Sequence, residues 1–197
     1  MGKSECKDTL LATATRLFAE KGYHGVSIRE LSSVAGVNVS LISYHFGGKE
    51  NLYNAVLAEQ FSVLSKVAEV CDKEGDTLKK FELYVRAILS RYRENPFLLR
   101  FYTSELTNPT ACFEAIVKPA ITNVIQNLLD IFTEGLSHNQ FRQGLDPTDT
   151  VLAFAGMINF YVLLEPVTTE IIAHSPDRDE VLINHIMNIF TNGVLAR

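Results

Sequence analysis

Glycine divides the first fifty residues of this 197-residue chain at Gly22, Gly36 and Gly47-Gly48. The segments between these points are too short to stay helical alone, so each must bury a face against the others. Residues 9–21 carry Leu10, Leu11, Ala14, Leu17 and Phe18 in one stripe of helical period, closed by Lys21-Gly22. Ser27 to Ala35 predicts a second helix. Ser27 and Glu30 have capping-box spacing, and Ile28, Leu31, Val34 and Ala35 form its inner face. Asn38 is a suitable N-cap for a third helix to about His45, with Val37 just outside it. The turn Ala35-Gly36-Val37-Asn38 is as tight as a helix-turn-helix requires, placing that motif at about residues 27–46.

Beyond it the pattern stays helical. A fourth helix runs from near Lys49 to about Cys71, with Leu52, Ala55, Val56, Phe61, Leu64 and Ala68 inward. Thr77–Glu94, Pro96–Leu106 and Thr110–Lys118 follow. Pro119–Leu136 comes next, its proline either kinking one long helix or opening a second. Pro147–Leu164 is strongly apolar and is predicted to break at Pro166, leaving a short Val167–His174 helix before Arg178–Leu195. No segment alternates as a strand would, so the expected class is all-α. The expected division is a helix-turn-helix head at 1–54 and a helical bundle at 55–197.

Composition excludes several functions. No uninterrupted apolar run reaches the ~18 residues of a membrane span, and Met1 to Asp8, with four charged residues, is no secretory signal. No membrane partner is expected, and the reading is cytoplasmic. Cys6, Cys71 and Cys112 are too scattered for a disulfide framework. His24, His45, His138, His174 and His185 lack metal-site spacing. No nucleophile–base pair, phosphate loop or dinucleotide fingerprint is present, so neither catalytic residues nor a cofactor or metal is expected. The net charge of −5 speaks against a general nucleic-acid coat. Its distribution is uneven: residues 1–54 hold 6 Lys/Arg against 5 Asp/Glu, leaving the acidic excess beyond them.

The third helix suits a groove-reading role. With Val37, Ile42 and Phe46 inward, Val39, Ser40, Ser43 and Tyr44 share the outer face. They are small or carry hydroxyls. Val39 and Leu41 suit thymine methyls, and Ser40 and Ser43 suit base edges or phosphate. Tyr44, His45 and Lys49 suit flanking phosphates, as does the helix start at Ser27. Arg29 is the best candidate for a bidentate guanine or phosphate contact. Periodicity alone favours reading Tyr44-His45-Phe46 as an aromatic cluster closing a core, for Phe46 above all.

Residues 9–57 resemble the TetR family of bacterial transcriptional regulators. The resemblance rests on Ala14 to Tyr23, Ser27-Ile28-Arg29-Glu30-Leu31, Ala35-Gly36-Val37, Tyr44-His45-Phe46 and Lys49-Glu50-Asn51-Leu52. It departs at Ser40 and Ser43, where the family often has Gly or Pro and Tyr. The resemblance implies that Ser27, Arg29, Val39, Ser40, Leu41, Ser43, Tyr44, His45 and Lys49 face DNA. It also implies a palindromic operator and a homodimer through the last two helices.

In the bundle, Phe101, Tyr102, Phe113, Phe154, Asn159 and Tyr161 are candidates to line a pocket for a small apolar or aromatic effector, ordinary core filling being the rival explanation. Asp177, Asp179 and Glu180 fit solvated acids at a helix start. Leu152, Ala155, Gly156, Ile158, Phe160, Val162 and Leu163, with Leu182, Ile183, Ile186, Ile189, Phe190 and Leu195, leave little of the last two long helices suited to water. The expected function is a repressor released by an effector. An adaptor of the same fold, acting through a protein partner and holding no ligand, is the rival.

Overall fold

The computed structural model describes residues 3–72, 75–172 and 175–196; His174 and the side chains of Ala68 and Cys71 lie outside what it describes. Its helices are α1 (Lys3–Lys21), α2 (Ile28–Ala35), α3 (Val39–Phe46), α4 (Lys49–Asp72), α5 (Thr77–Glu94), α6 (Pro96–Thr107), α7 (Lys118–Ser137), α8 (Pro147–Thr168) and α9 (Arg178–Val194), with a π-helical turn at Phe113–Val117. The described residues form no strand, only an isolated bridge between Phe141 and Leu195. The fold is all-α.

Three local expectations change. α1 begins six residues before Thr9, because buried Cys6 extends the stripe of Leu10 and Ala14 by a turn. Val34 points to solvent and Ser32 takes the inner position beside Leu31. α8 passes through Pro166 to Thr168, so no separate helix starts at Val167. Only Val167 and Thr168 of α8 lie beyond this proline. The Thr168 hydroxyl caps the carbonyl of Leu164 at 3.2 Å. Pro119 sits in the first turn of α7, where a missing N–H costs nothing.

The chain packs as two compact units, residues 1–63 with 95–120 and residues 64–94 with 121–197. The helix-turn-helix thus shares a unit with α6 and the π-helical turn, a grouping that cuts across the expected boundary at residue 54. In this unit α1 packs against α2 and α6, and α2 against α3. Leu10, Ala14, Leu31, Ile42, Leu52, Val56 and Leu57 are fully buried in it.

In the second unit α5 packs against α8 and α9. Phe81 is fully buried among the rings of Phe132, Phe141, Phe154 and Phe190. Arg93, at the end of α5, ties α8 and α9 together. It donates to Glu165 at 2.5 and 2.6 Å and to Asp179 at 2.8 Å. Glu180 accepts from Arg86 at 2.5 Å, which holds its carboxyl below the ordinary range. Asp179 and Glu180 are therefore solvent-exposed acids of the first turn of α9, as expected, that also pair with α5 arginines.

Gly135 is the tightest point of the aromatic core. An added Cβ would lie 2.3 Å from the Phe141 ring, which stacks on Phe132 at 4.9 Å. Alanine normally gains about 1 kcal/mol over glycine inside a helix. Here the clash dominates, and Gly135→Ala is expected to destabilise by about 1–3 kcal/mol. A urea midpoint at or above wild type would refute this.

By length and composition α8 is apolar enough to cross a membrane, although the sequence holds no uninterrupted run of that length. Val151, Phe154, Ala155 and Ile158 face the protein interior. Leu152, Phe160, Leu163 and Val167 line another, exposed face, with Phe160 at 61% and Val167 at 74% exposure. Val181 and Ile189 of α9 are exposed too, whereas Leu182, Ile183, Ile186 and Phe190 are buried within the unit.

Candidate nucleic-acid interface

Two caps set the angle between α2 and α3. Ser27 accepts the N–H of Glu30 at 3.1 Å. Glu30 in turn pairs with Lys21 and takes the N–H of Ser27, and these contacts lower its pKa, the Lys21 bond most. At the far end Gly36 adopts φ 66° and returns its N–H to Ser32 and Ser33. That left-handed conformation turns the chain within two residues, and a Cβ there would strain it. Asn38 then caps α3, accepting the N–H of Ser40 at 2.9 Å and its hydroxyl at 2.8 Å. Gly47, at φ 76°, closes α3 with a 2.9 Å bond to the carbonyl of Ser43.

The α3 helix is pinned by fully buried Ile42, with Val37 and Phe46 half-buried. Its opposite face, Val39, Ser40, Ser43 and Tyr44, is exposed, Tyr44 at 66%. Ser27 and Arg29 are exposed as well, while Leu41, His45 and Lys49 are half-buried. Of the aromatic run, Tyr44 is thus open to solvent while Phe46 turns inward. Tyr44 rests edge-on against His45 at 5.0 Å. Lys49 sits 4.2 Å from the ring centre of Tyr23, and burial lowers its pKa. Because the Ser40 hydroxyl proton is engaged by Asn38, its oxygen is presented outward chiefly as an acceptor.

A short helix held by a small turn, with a low-relief polar face, is geometry that enters a major groove. Comparison with known proteins agrees. Residues 10–56 match the family described as bacterial regulatory proteins, tetR family. The probable HTH-type transcriptional regulator YttP of Bacillus subtilis is 34% identical over 108 residues, covering 53% of this chain and about half, 52%, of that relative. The HTH-type transcriptional regulator RutR of Escherichia coli K12 is 22% identical over 198 residues, covering 97% of this chain and 91% of RutR. Residues 10–56 thus form a TetR-family domain.

The fold agrees over the full length. The ketosteroid transcriptional regulator KstR2 of Mycobacterium tuberculosis superposes with a TM-score of 0.79 at 16% identity, covering 97% of this chain and 95% of that one. These relatives are named as transcriptional regulators.

The six pocket candidates are divided between the two units. Phe101 belongs to the first unit, where it packs 6.2 Å from the ring of Tyr53, and Tyr102 and Phe113 are half-buried in the same unit. Phe154 is sealed in the aromatic core of the second unit, 4.4 Å from Phe190. Asn159 does have the partner that an amide in an apolar helix needs, accepting the Tyr92 hydroxyl at 2.7 Å. Tyr161 lines a cavity of about 520 Å3 with Arg93, Glu165, Thr168, Ile172 and Arg178. Its hydroxyl accepts from Arg178 Nε and Nη2 at 2.9 and 2.7 Å.

The sequence reading had not singled out Arg93 and Arg178. Their bonds to Glu165 and Tyr161 span 72 and 17 residues, beyond any helical spacing. The only local hint was the cluster of acids at the start of α9, which called for basic partners.

Proposed function

We propose that this regulator is a cytoplasmic homodimeric repressor that presses α3 of each copy into the major groove of a palindromic operator and is released by a small effector. The observation that carries the reading is the exposed face of α3, Val39, Ser40, Ser43 and Tyr44, set opposite buried Ile42. Arg29 and Ser27 flank this face from α2, and His45 and Lys49 supply phosphate contacts. DNA recognition belongs to residues 1–54, and effector response and pairing to 55–197.

Pairing is supported by the exposed apolar line of α8, Leu152, Phe160, Leu163 and Val167, beside Val181 and Ile189 of α9. A helix apolar on two faces needs a second partner. A two-fold pair would set its reading helices about 34–36 Å apart, one turn of duplex. The cavity at Tyr161 supports a small apolar or aromatic effector, and its arginines and carboxylates favour one that also carries polar groups. Such a ligand changes DNA affinity only insofar as it binds the two conformations unequally.

The test is selection of a duplex from a random library, followed by titration. Arg29→Ala and Tyr44→Ala are each expected to weaken binding about 10–100-fold, the range for losing one good base or phosphate contact. Affinity should also fall steeply with salt. Arg29→Ala binding as tightly as wild type would overturn this docking, and a monomer at micromolar concentration in sedimentation would overturn the pairing.

A further inference from the structure

Arg178, the first residue of α9, is held differently from the other arginine of the Tyr161 cavity. Arg93 is saturated, since Glu165 and Asp179 together accept from its Nε, Nη1 and Nη2. No carboxylate among the described residues lies within 4 Å of the Arg178 guanidinium nitrogens. Its Nε and Nη2 donate instead to the neutral hydroxyl of Tyr161, at 2.9 and 2.7 Å. A half-buried guanidinium that faces only a phenol keeps an uncompensated charge and has further N–H donors to give.

Tyr161 and Arg178 also line a second cavity, of about 470 Å3, within the range of small-molecule sites, roughly 300–1,000 Å3. Its walls are largely apolar. Leu182 and Ile186 of α9 are buried in them, and Met157 of α8 is half-buried. Among the described residues no acid lines this cavity, and beyond Tyr161 and Arg178 its polar side chain is the exposed His185. One permanent cation in an apolar cavity is the complement of a molecule with one anionic end and an apolar body. A carboxylate meets the planar guanidinium with two parallel hydrogen bonds, which the single oxygen of a phenol does not. An ammonium would meet a like charge.

Val181 and Ile189, which belong to the line proposed for pairing, complete the lining. In a two-fold pair the face opposite is the same face, so that line brings no acid to Arg178. Covering the groove would then bury a charge without a counter-ion, which is costly. A bound carboxylate supplies one.

We propose that Arg178, with Tyr161, is the head-group site for a carboxylate ligand whose apolar body lies over Met157, Leu182 and Ile186. This names the chemical class of the effector and rests on the effector reading above.

The experiment titrates the full-length protein, without DNA, with decanoate, decan-1-ol and decylammonium in a calorimeter. Decanoate should bind saturably below about 1 mM. It should bind at least roughly tenfold more tightly than either of the others, as a charge-assisted hydrogen bond implies. Arg178→Gln should lose that preference, and Arg178→Lys should keep part of it. Tyr161→Phe, which frees the guanidinium, should bind decanoate at least as tightly as wild type. Arg178→Lys and the three ligands on wild type keep the test open if Arg178→Gln fails to fold.

Equal binding of decanoate and decylammonium, or an unchanged decanoate affinity in Arg178→Gln, would show the assignment to be wrong. So would the absence of decanoate binding. If Arg178→Gln then also weakened self-association in sedimentation, the groove would belong to a second copy. Decanoate that binds as expected yet leaves affinity for the selected duplex unchanged would support the site and remove its part in effector release, so the two readings fail separately.

Discussion

Phe81→Ala is expected to remove about 3–5 kcal/mol of unfolding free energy, the range for truncating a sealed aromatic ring. Phe81 has no exposed surface and is the ring around which its unit is built. Its centroid lies 4.7 Å from Phe190 of α9, 5.0 Å from Phe154 of α8, 6.2 Å from Phe141 and 6.4 Å from Phe132 of α7. Truncation removes the burial of the ring and also leaves a void. The neighbours cannot collapse into it, because Phe141 is wedged against the backbone of Gly135. The loss is a large fraction of the whole stability of many domains, about 5–15 kcal/mol. Urea unfolding followed by far-ultraviolet circular dichroism measures it. A loss below about 1 kcal/mol would mean that the site relaxes and the aromatic cluster is not rigid.

Ser43→Glu is expected to abolish operator binding while leaving the fold intact. Ser43 is exposed in the middle of the outer face of α3, and its side chain caps nothing there. Glutamate is at least as good a helix former as serine, so stability should change by less than about 0.5 kcal/mol. On the DNA the new carboxylate would face base-edge acceptors and the phosphate wall. Juxtaposing like charges costs several kcal/mol, hence at least roughly a hundredfold in affinity. Fluorescence anisotropy with the selected duplex, paired with a thermal melt, separates the two effects. A variant that melts as wild type and still binds within threefold (about 0.7 kcal/mol) would remove α3 from the groove.

The parts of the head legible in the sequence are those held by bonds between near neighbours. Ser27 to Glu30, Asn38 to Ser40 and Gly47 to Ser43 are contacts of two to four residues, so the caps and stops of α2 and α3 could be read directly. The bundle was less legible. Tyr161, Asn159 and Phe154 fall on one apolar helix with nothing local to distinguish them. Yet the first lines a cavity, the second is bonded to Tyr92 and the third is sealed in the core. Pro166 misled because proline breaks helices in general, but here the helix continues for two residues past it. Arg93 and Arg178 were missed because their partners lie far away along the chain.

Sequence by itself settled where each short helix begins and ends and which residues of α3 share a face, since caps, glycine turns and helical period act within a few residues. Tertiary structure decided which acids are neutralised, which apolar residues of α8 face inward or outward, and that α6 packs with the head. Those outcomes depend on which distant surfaces meet, and burial and hydrogen-bond geometry between elements cannot be computed from the spacing within one.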